Sequence, residues 1–186
     1  MKINEVGQLS EPPFAKFIFA DTRFAWFWLL IRIYVGWQWL NAGWEKFQSP
    51  GWNGAQAGAA VKGFLVAALQ KSSGAHPDVQ GWYAHFIQNW AMPHSIFLAH
   101  LVTYGELTVG IALILGIFTG IAAFFGTFMN LNYLLAGTVS INPILLLLQL
   151  FLILAWRIAG WYGIDRWLLP ALGTPWQAPN LLKREW

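Results

Sequence analysis

Two charged residues of opposite sign stand inside otherwise apolar stretches of this chain: Arg32 and Glu106. A charged side chain at mid-bilayer costs at least about 2.5 kcal/mol on insertion scales, so it must turn inward and find a partner. The expectation is a buried Arg32–Glu106 ion pair, with Glu106 able to exchange a proton. Arg32 does not stand alone. Arg32, Gly36, Trp39, Gly43 and Lys46 fall at i, i+4, i+7, i+11 and i+14, one side of a 3.6-residue helix. Lys46 places a second cation at one end of that face. Glu45 points away from it.

Other stretches offer matching sides. Thr103, Glu106 and Gly110 share one face, and Thr119, Ala123, Gly126, Asn130 and Gly137 share another; Asn142 and Gln149 add two amides. Gly36, Gly43, Gly110 and Gly126 are expected to let neighbouring helices approach closely. Together these residues predict a polar seam with a carboxylate, two cations, amides and hydroxyls, walled by aromatic rings.

Several chemistries are excluded. The chain has no cysteine, so thiol–disulfide exchange, Cys-ligated iron–sulfur clusters and covalently attached haem are impossible. His76, His85 and His94 fall between apolar stretches, and His100 lies shallow in the second one, a poor set for haem ligation. No HExxH, no Glu-x-x-His pair and no Asp cluster points to a metal. No Ser/His/Asp set points to hydrolysis.

The elements that carry these residues follow from composition and spacing. Hydrophobic residues make up 57% and charged residues 10%, against about 25% charged in a soluble domain. Mean hydropathy is +0.48. This excludes a soluble enzyme, a disordered chain, a disulfide-stapled domain and a nucleic-acid binder. The fold expected is an all-α integral membrane protein, a four-helix bundle forming a single membrane domain over 1–186. Its spans are expected near 24–44, 96–117, 120–136 and 142–161, divided by the glycines at 116–120 and by the run from Gly137 to Pro143. Residues 47–93 carry Val61, Phe64, Leu65, Ala68 and Leu69, then Val79, Trp82, Tyr83, Phe86, Ile87 and Trp90, at helical spacing. They predict an amphipathic helical segment at the outer interface.

Orientation follows from Lys and Arg. Lys2, Lys16 and Arg23 precede the first span, Arg166, Lys183 and Arg184 follow the fourth, and 47–93 holds only Lys62 and Lys71. Both termini are expected to be cytoplasmic in a plasma membrane. Trp26, Trp28, Trp156, Trp161 and Trp167 are expected at the inner interface, and Trp37, Trp39, Trp44 and Trp90 towards the outer one. Arg157 is expected to snorkel to the interface.

Three motifs carry a family resemblance: RIYVGWQWLNAGWEKF over 32–47, GELTVGIALILGIFTG over 105–120, and NLNYLLAGT over 130–138 followed by Asn142-Pro143. Over about residues 22–168 the chain resembles the DoxX family, and within it the DoxD-like subunits of thiosulfate:quinone oxidoreductase. The resemblance implies a prokaryotic four-helix membrane protein that oxidises thiosulfate to tetrathionate and passes electrons to membrane quinone. It implies a small DoxA-like second subunit, since the chain ends soon after Trp176; a second copy of the chain is the other expected partner besides lipid.

On that reading Glu106 and Arg32 are the catalytic candidates, with quinone as electron acceptor. Lys46 would attract the thiosulfate dianion. Quinone would stack on Trp39 or Trp44, with Arg32, Tyr104 or Asn130 as donors to its carbonyls. The alternatives from other classes are a non-enzymatic small-molecule or ion carrier, and a membrane anchor or assembly subunit for a soluble oxidoreductase.

Overall fold

The computed structural model describes residues 11–174. Lys2, Lys183 and Arg184, counted above for orientation, lie outside them. Every regular element among the described residues is helical.

Local sequence sets where the helices stop. Helix α1, Pro13–Ala20, starts on a proline at its first position, where the missing N–H costs nothing. Helix α2, Ala25–Gln48, ends at Ser49, extended as residues before proline are. Short α3, Pro50–Asn53, and α4, Ala59–Gln70, follow. Helix α5, Gly81–Phe86, runs on into a π-turn over Ile87–Ala91. Helix α6, Ser95–Leu115, closes on Gly116 in the left-handed region (φ 67°), the usual glycine stop. Helix α7 spans Thr119–Leu135. Helix α8, Asn142–Leu154, opens with Pro143 in its first turn. The expected fourth span to 161 is interrupted. The helix stops at Ala155 and resumes as the single turn α9, Trp156–Ala159, where Trp156 packs against Gly120. Helix α10, Asp165–Ala171, closes the described chain.

The four long helices pack in a group: α2 on α6, α6 on α7, α7 on α8, with α2 also touching α8. The contact between α2 and α6 is made through glycine. A Cβ on Gly43 would lie 2.7 Å from the Leu107 nitrogen, and one on Gly110 would lie 2.5 Å from that of Leu40. At Gly36 it would lie 2.9 Å from Ile114 Cγ1. Backbones therefore meet, and the two helices run antiparallel in a fixed register.

Polarity is inverted relative to a water-soluble fold. The buried side includes Arg32, Thr103, Glu106, Thr119, Asn130, Gln149 and Asp165. The outward side carries Leu30, Trp37, Ile96, Phe97, Phe124, Phe128, Ile144 and Leu154, all more than half exposed. Such a surface suits hydrocarbon. Among the described residues one helix, Ser95–Leu115, is long and apolar enough by itself to cross a membrane.

Two apolar cores form. One lies between the long helices around Trp28, Val35, Trp39, Leu113, Leu152 and Ile158. The other joins α4, α5 and the π-turn to the ends of α6 and α7, around Val61, Leu65, Val79, Tyr83, Ile87 and Ala99. The segment 47–93 is thus a helical cap, with Lys71 Nζ bonded to the Gly137 carbonyl at 2.7 Å and the Tyr83 hydroxyl donating to Asn132 Oδ1 at 3.0 Å.

Trp28 and Trp39, expected at the two interfaces, turn into the bundle. Both are buried, and the Trp28 indole donates to the Ile18 carbonyl at 2.7 Å. Arg157 is 3.4 Å from Glu11, an exposed pair near one surface.

Candidate functional site

The face counted out on α2 is the buried one: Arg32, Gly36, Trp39 and Gly43 are buried. The pairing expected across it is not what forms. Glu106 Oε2 accepts from Lys46 Nζ at 2.7 Å, and Oε1 accepts from the Tyr133 hydroxyl at 2.6 Å. Glu106 is 1% exposed, whereas the Lys46 side chain keeps 19% exposure. Lys46 also reaches the Ala42 carbonyl and lies 5.2 Å from the Trp52 ring centre. Phe64 of the cap meets Tyr133 edge to face. The carboxylate is therefore held between an ammonium and a phenol, beneath α3 and α4.

Arg32 sits at the opposite end. Its guanidinium fills the space where a side chain on Gly116 would be, would crowd a Cβ on Gly163, and donates from Nη2 to the Tyr162 carbonyl at 3.0 Å. The carboxylate acting on its charge is Asp165, fully buried and bonded to the backbone nitrogens of Phe118 and Thr119 at 2.6 and 2.8 Å. Those nitrogens open α7, where the helix dipole also favours an anion. Phe118 adopts φ 46°, rare for a non-glycine residue, and Asp165 ties down this turn.

The register explains why the expected pair does not form. Gly43 meets Leu107 and Gly110 meets Leu40, so Arg32 falls level with Gly116. That is ten residues beyond Glu106, roughly 15 Å along the helix. Counting along two helices of assumed ends would put Arg32 and Glu106 level. The glycines decide it instead.

Between the two ends lies an amide pair. Asn130 Nδ2 donates to Gln149 Oε1 at 3.0 Å. A Cβ on Gly126 would collide with Gln149 Nε2 and lie 3.1 Å from Trp39 Nε1. Trp39, Asn130, Gln149 and Gly126 thus meet in the core. Trp44 and Tyr104 do not join them. Both face outward on α2 and α6, 53% and 48% exposed, beside Phe47 and His100. Gly137 lies beyond the end of α7, where its carbonyl serves the cap. An apolar groove of about 400 Å³ lined by Phe118, Ile121, Phe124, Ile153, Trp156 and Leu169 opens near the start of α7, and Thr119 is the one residue of the expected seam on its lining.

Two residues of this arrangement escaped the sequence reading as site residues. Tyr133 follows Asn130 by three positions on the same helical face, which was a usable signal. Asp165, between Arg157 and Arg166 in the sequence, had none, since only the folded chain brings it to Phe118.

No curated protein and no solved structure gives a significant match to this chain. The family model described as DoxX matches residues 27–138. The matched stretch contains Arg32, Lys46, Glu106 and Tyr133 and stops short of Gln149 and Asp165. With more than half of its length matched, and with an apolar helix fit to cross a bilayer, this chain is a membrane protein that belongs to the DoxX family.

Proposed function

We propose that the chain is the membrane subunit of a quinone-linked oxidoreductase, in which the Lys46–Glu106–Tyr133 cluster handles the proton that accompanies quinone reduction. One observation carries this reading: a carboxylate 1% exposed, bridging an ammonium and a phenol, inside helices that turn apolar residues outward. An intramembrane ionisable residue marks function more often than stability, because packed apolar side chains of similar volume serve stability as well or better. Three groups able to hold or pass a proton are in hydrogen-bond contact here. Lys46 keeps 19% of its side chain exposed, and on the proposed orientation it opens to the outer side.

The outward apolar faces of α2, α6, α7 and α8 support four crossings, with α8 and α9 together making the fourth. The distribution of Lys and Arg supports cytoplasmic termini in a prokaryotic plasma membrane. The DoxD-like resemblance supplies the reductant. Two thiosulfates join through a new S–S bond as tetrathionate and release two electrons, which one quinone takes up with two protons. Lys46 is neutralised by Glu106 and so is a weak lure for thiosulfate. That site is therefore assigned to a small DoxA-like second subunit.

The test is quinone content and turnover. The chain is purified in mild detergent, extracted with organic solvent, and its quinone quantified; quinone reduction by the complex is then compared for wild type and Glu106→Gln. Near-stoichiometric quinone with at least about tenfold slower reduction in the variant supports the reading. Quinone no higher than in a control membrane protein overturns it in favour of the carrier or anchor alternatives. Undiminished reduction by the variant removes Glu106 from proton handling.

A further inference from the structure

The apolar groove beside the start of α7 takes its walls from four helices: Ile121 and Phe124 of α7, Ile153 of α8, Trp156 of α9, and Leu169 and Leu172 from α10 and its end. Ile121, Phe124 and Leu172 are each more than half exposed, so the groove opens on the side that the bundle turns to hydrocarbon. Thr119 also lines it. That residue is buried, and its hydroxyl has no hydrogen-bond partner among the described residues, a rare state for a buried polar group. Its backbone nitrogen is already taken by Asp165, so the hydroxyl is what remains to be answered.

A cation stands beside this groove. Asp165 spends both oxygens on the Phe118 and Thr119 nitrogens, and its neighbour Arg166 comes one turn before Leu169 on the same helix. The Arg166 guanidinium lies 5.0 Å from the Trp161 ring centre and 5.9 Å from that of Trp167. Those contacts hold the charge in place without spending it on an anion, and among the described residues no carboxylate pairs with it. Arg157, which follows Trp156, is by contrast paired with Glu11. An arginine packed among tryptophans at one end of an apolar bundle marks the headgroup level of a bilayer.

We infer that this groove binds one anionic glycerophospholipid, with an acyl chain along the apolar walls, an ester carbonyl accepting from Thr119 Oγ1 and the phosphate paired with Arg166. The three features select the ligand together. A plain hydrocarbon would leave the hydroxyl and the guanidinium unanswered. A soluble anion would leave the apolar walls uncovered. Ester carbonyls lie between chain and phosphate, as Thr119 lies between the apolar walls and the arginine-bearing helix. Bulk lipid coats the whole outer surface, whereas this molecule is bound singly and chosen by its headgroup. The site stands apart from the quinone-linked reading and survives its failure.

The probes are palmitoyl-oleoyl phosphatidylglycerol and palmitoyl-oleoyl phosphatidylcholine, titrated into the intact chain in mild detergent and counted by native mass spectrometry. The first phosphatidylglycerol is expected to bind roughly fivefold more tightly than phosphatidylcholine, the worth of one basic residue at the membrane surface. Arg166→Gln should erase that preference and leave phosphatidylcholine binding unchanged. Arg157→Gln, whose charge Glu11 already meets, should change the preference by less than about twofold. Thr119→Val should weaken both lipids by roughly threefold, the loss of one hydrogen bond, and keep the preference. Ile121→Trp, which fills the groove, should weaken both, whereas Phe128→Trp, exposed on the same helix outside the groove, should weaken neither. Equal affinities in the wild type, or a preference that survives Arg166→Gln, overturn the site. Binding indifferent to both Thr119→Val and Ile121→Trp shows coating lipid only and overturns it as well. A lipid-free dimer that falls apart on Ile121→Trp gives the groove to a second copy of the chain instead.

Discussion

Lys46 and Glu106 are 2.7 Å apart across the α2–α6 contact, and the carboxylate they share with Tyr133 is almost fully buried. Removing one member of such a pair leaves a charge stranded in a low dielectric, which costs on the order of 3–5 kcal/mol. Lys46→Met should therefore destabilise the chain strongly. Glu106→Gln should do so less, because the amide still accepts from Tyr133 and the remaining ammonium is partly exposed. The double variant Lys46→Met/Glu106→Gln should recover much of the loss. Thermal unfolding in one detergent, read as a double-mutant cycle, checks this. Additive losses would show that the two residues are not coupled.

The α2–α6 register depends on Gly110, whose Cβ would be 2.5 Å from the Leu40 nitrogen, an atom with no freedom to move aside. Gly110→Ala should cost about 1–3 kcal/mol as overpacking. Gly105→Ala on the same helix meets only the Met129 sulfur, at 3.4 Å, and should cost less than about 0.5 kcal/mol. Comparing the two midpoints separates close approach from helix propensity, which favours alanine at both positions.

The helical faces were legible because burial in a bundle repeats every 3.6 residues: Arg32, Gly36, Trp39 and Gly43 are buried as their spacing requires. Boundaries were legible at Gly116 and Pro143, whereas the first span, expected to end near 44, runs on to Gln48 before Pro50. Partners were not. Choosing Lys46 over Arg32 for Glu106 depends on an antiparallel register that no single helix encodes. The interruption at Ala155 left no mark either, since 142–161 is uniformly apolar apart from Asn142, Gln149 and Arg157. The Asn53–His100–Tyr104 contact joins residues 47 and 51 positions apart, a separation that spacing arguments do not reach.

Asp165 holds the start of α7 from another helix. Both of its oxygens accept backbone N–H groups, at Phe118 and Thr119, and its charge acts on Arg32. Losing an ordinary helix cap costs about 1 kcal/mol. Asp165→Ala should exceed that, at about 2–3 kcal/mol, because buried donors lose their acceptor. Asp165→Asn retains one acceptor and should fall between. Hydrogen exchange at the Thr119 amide gives a local reading. If that amide stays as protected in Asp165→Ala as in the wild type, the cap assignment fails.

Tyr83 fastens the cap to α7 through its hydroxyl, which donates to Asn132 Oδ1 at 3.0 Å. Burial in the cap core raises its pKa from 10.0 to about 12, so the folded chain holds this proton more tightly than the unfolded chain does. The contribution is complete below pH 10, declines as pH rises above that value, and is gone once pH has passed about 12. Cap opening should therefore increase between those limits, visible as faster proteolysis or amide exchange in 59–91, while α6 stays protected. Tyr83→Phe has no proton to lose. It should open slightly more at neutral pH for want of the Asn132 bond, by about 0.5–1.5 kcal/mol. Its opening should not acquire the added pH dependence above 10. Identical alkaline profiles for the wild type and Tyr83→Phe would show that another group unlatches the cap. Lys71, bonded to the Gly137 carbonyl beside it, would be the next to test.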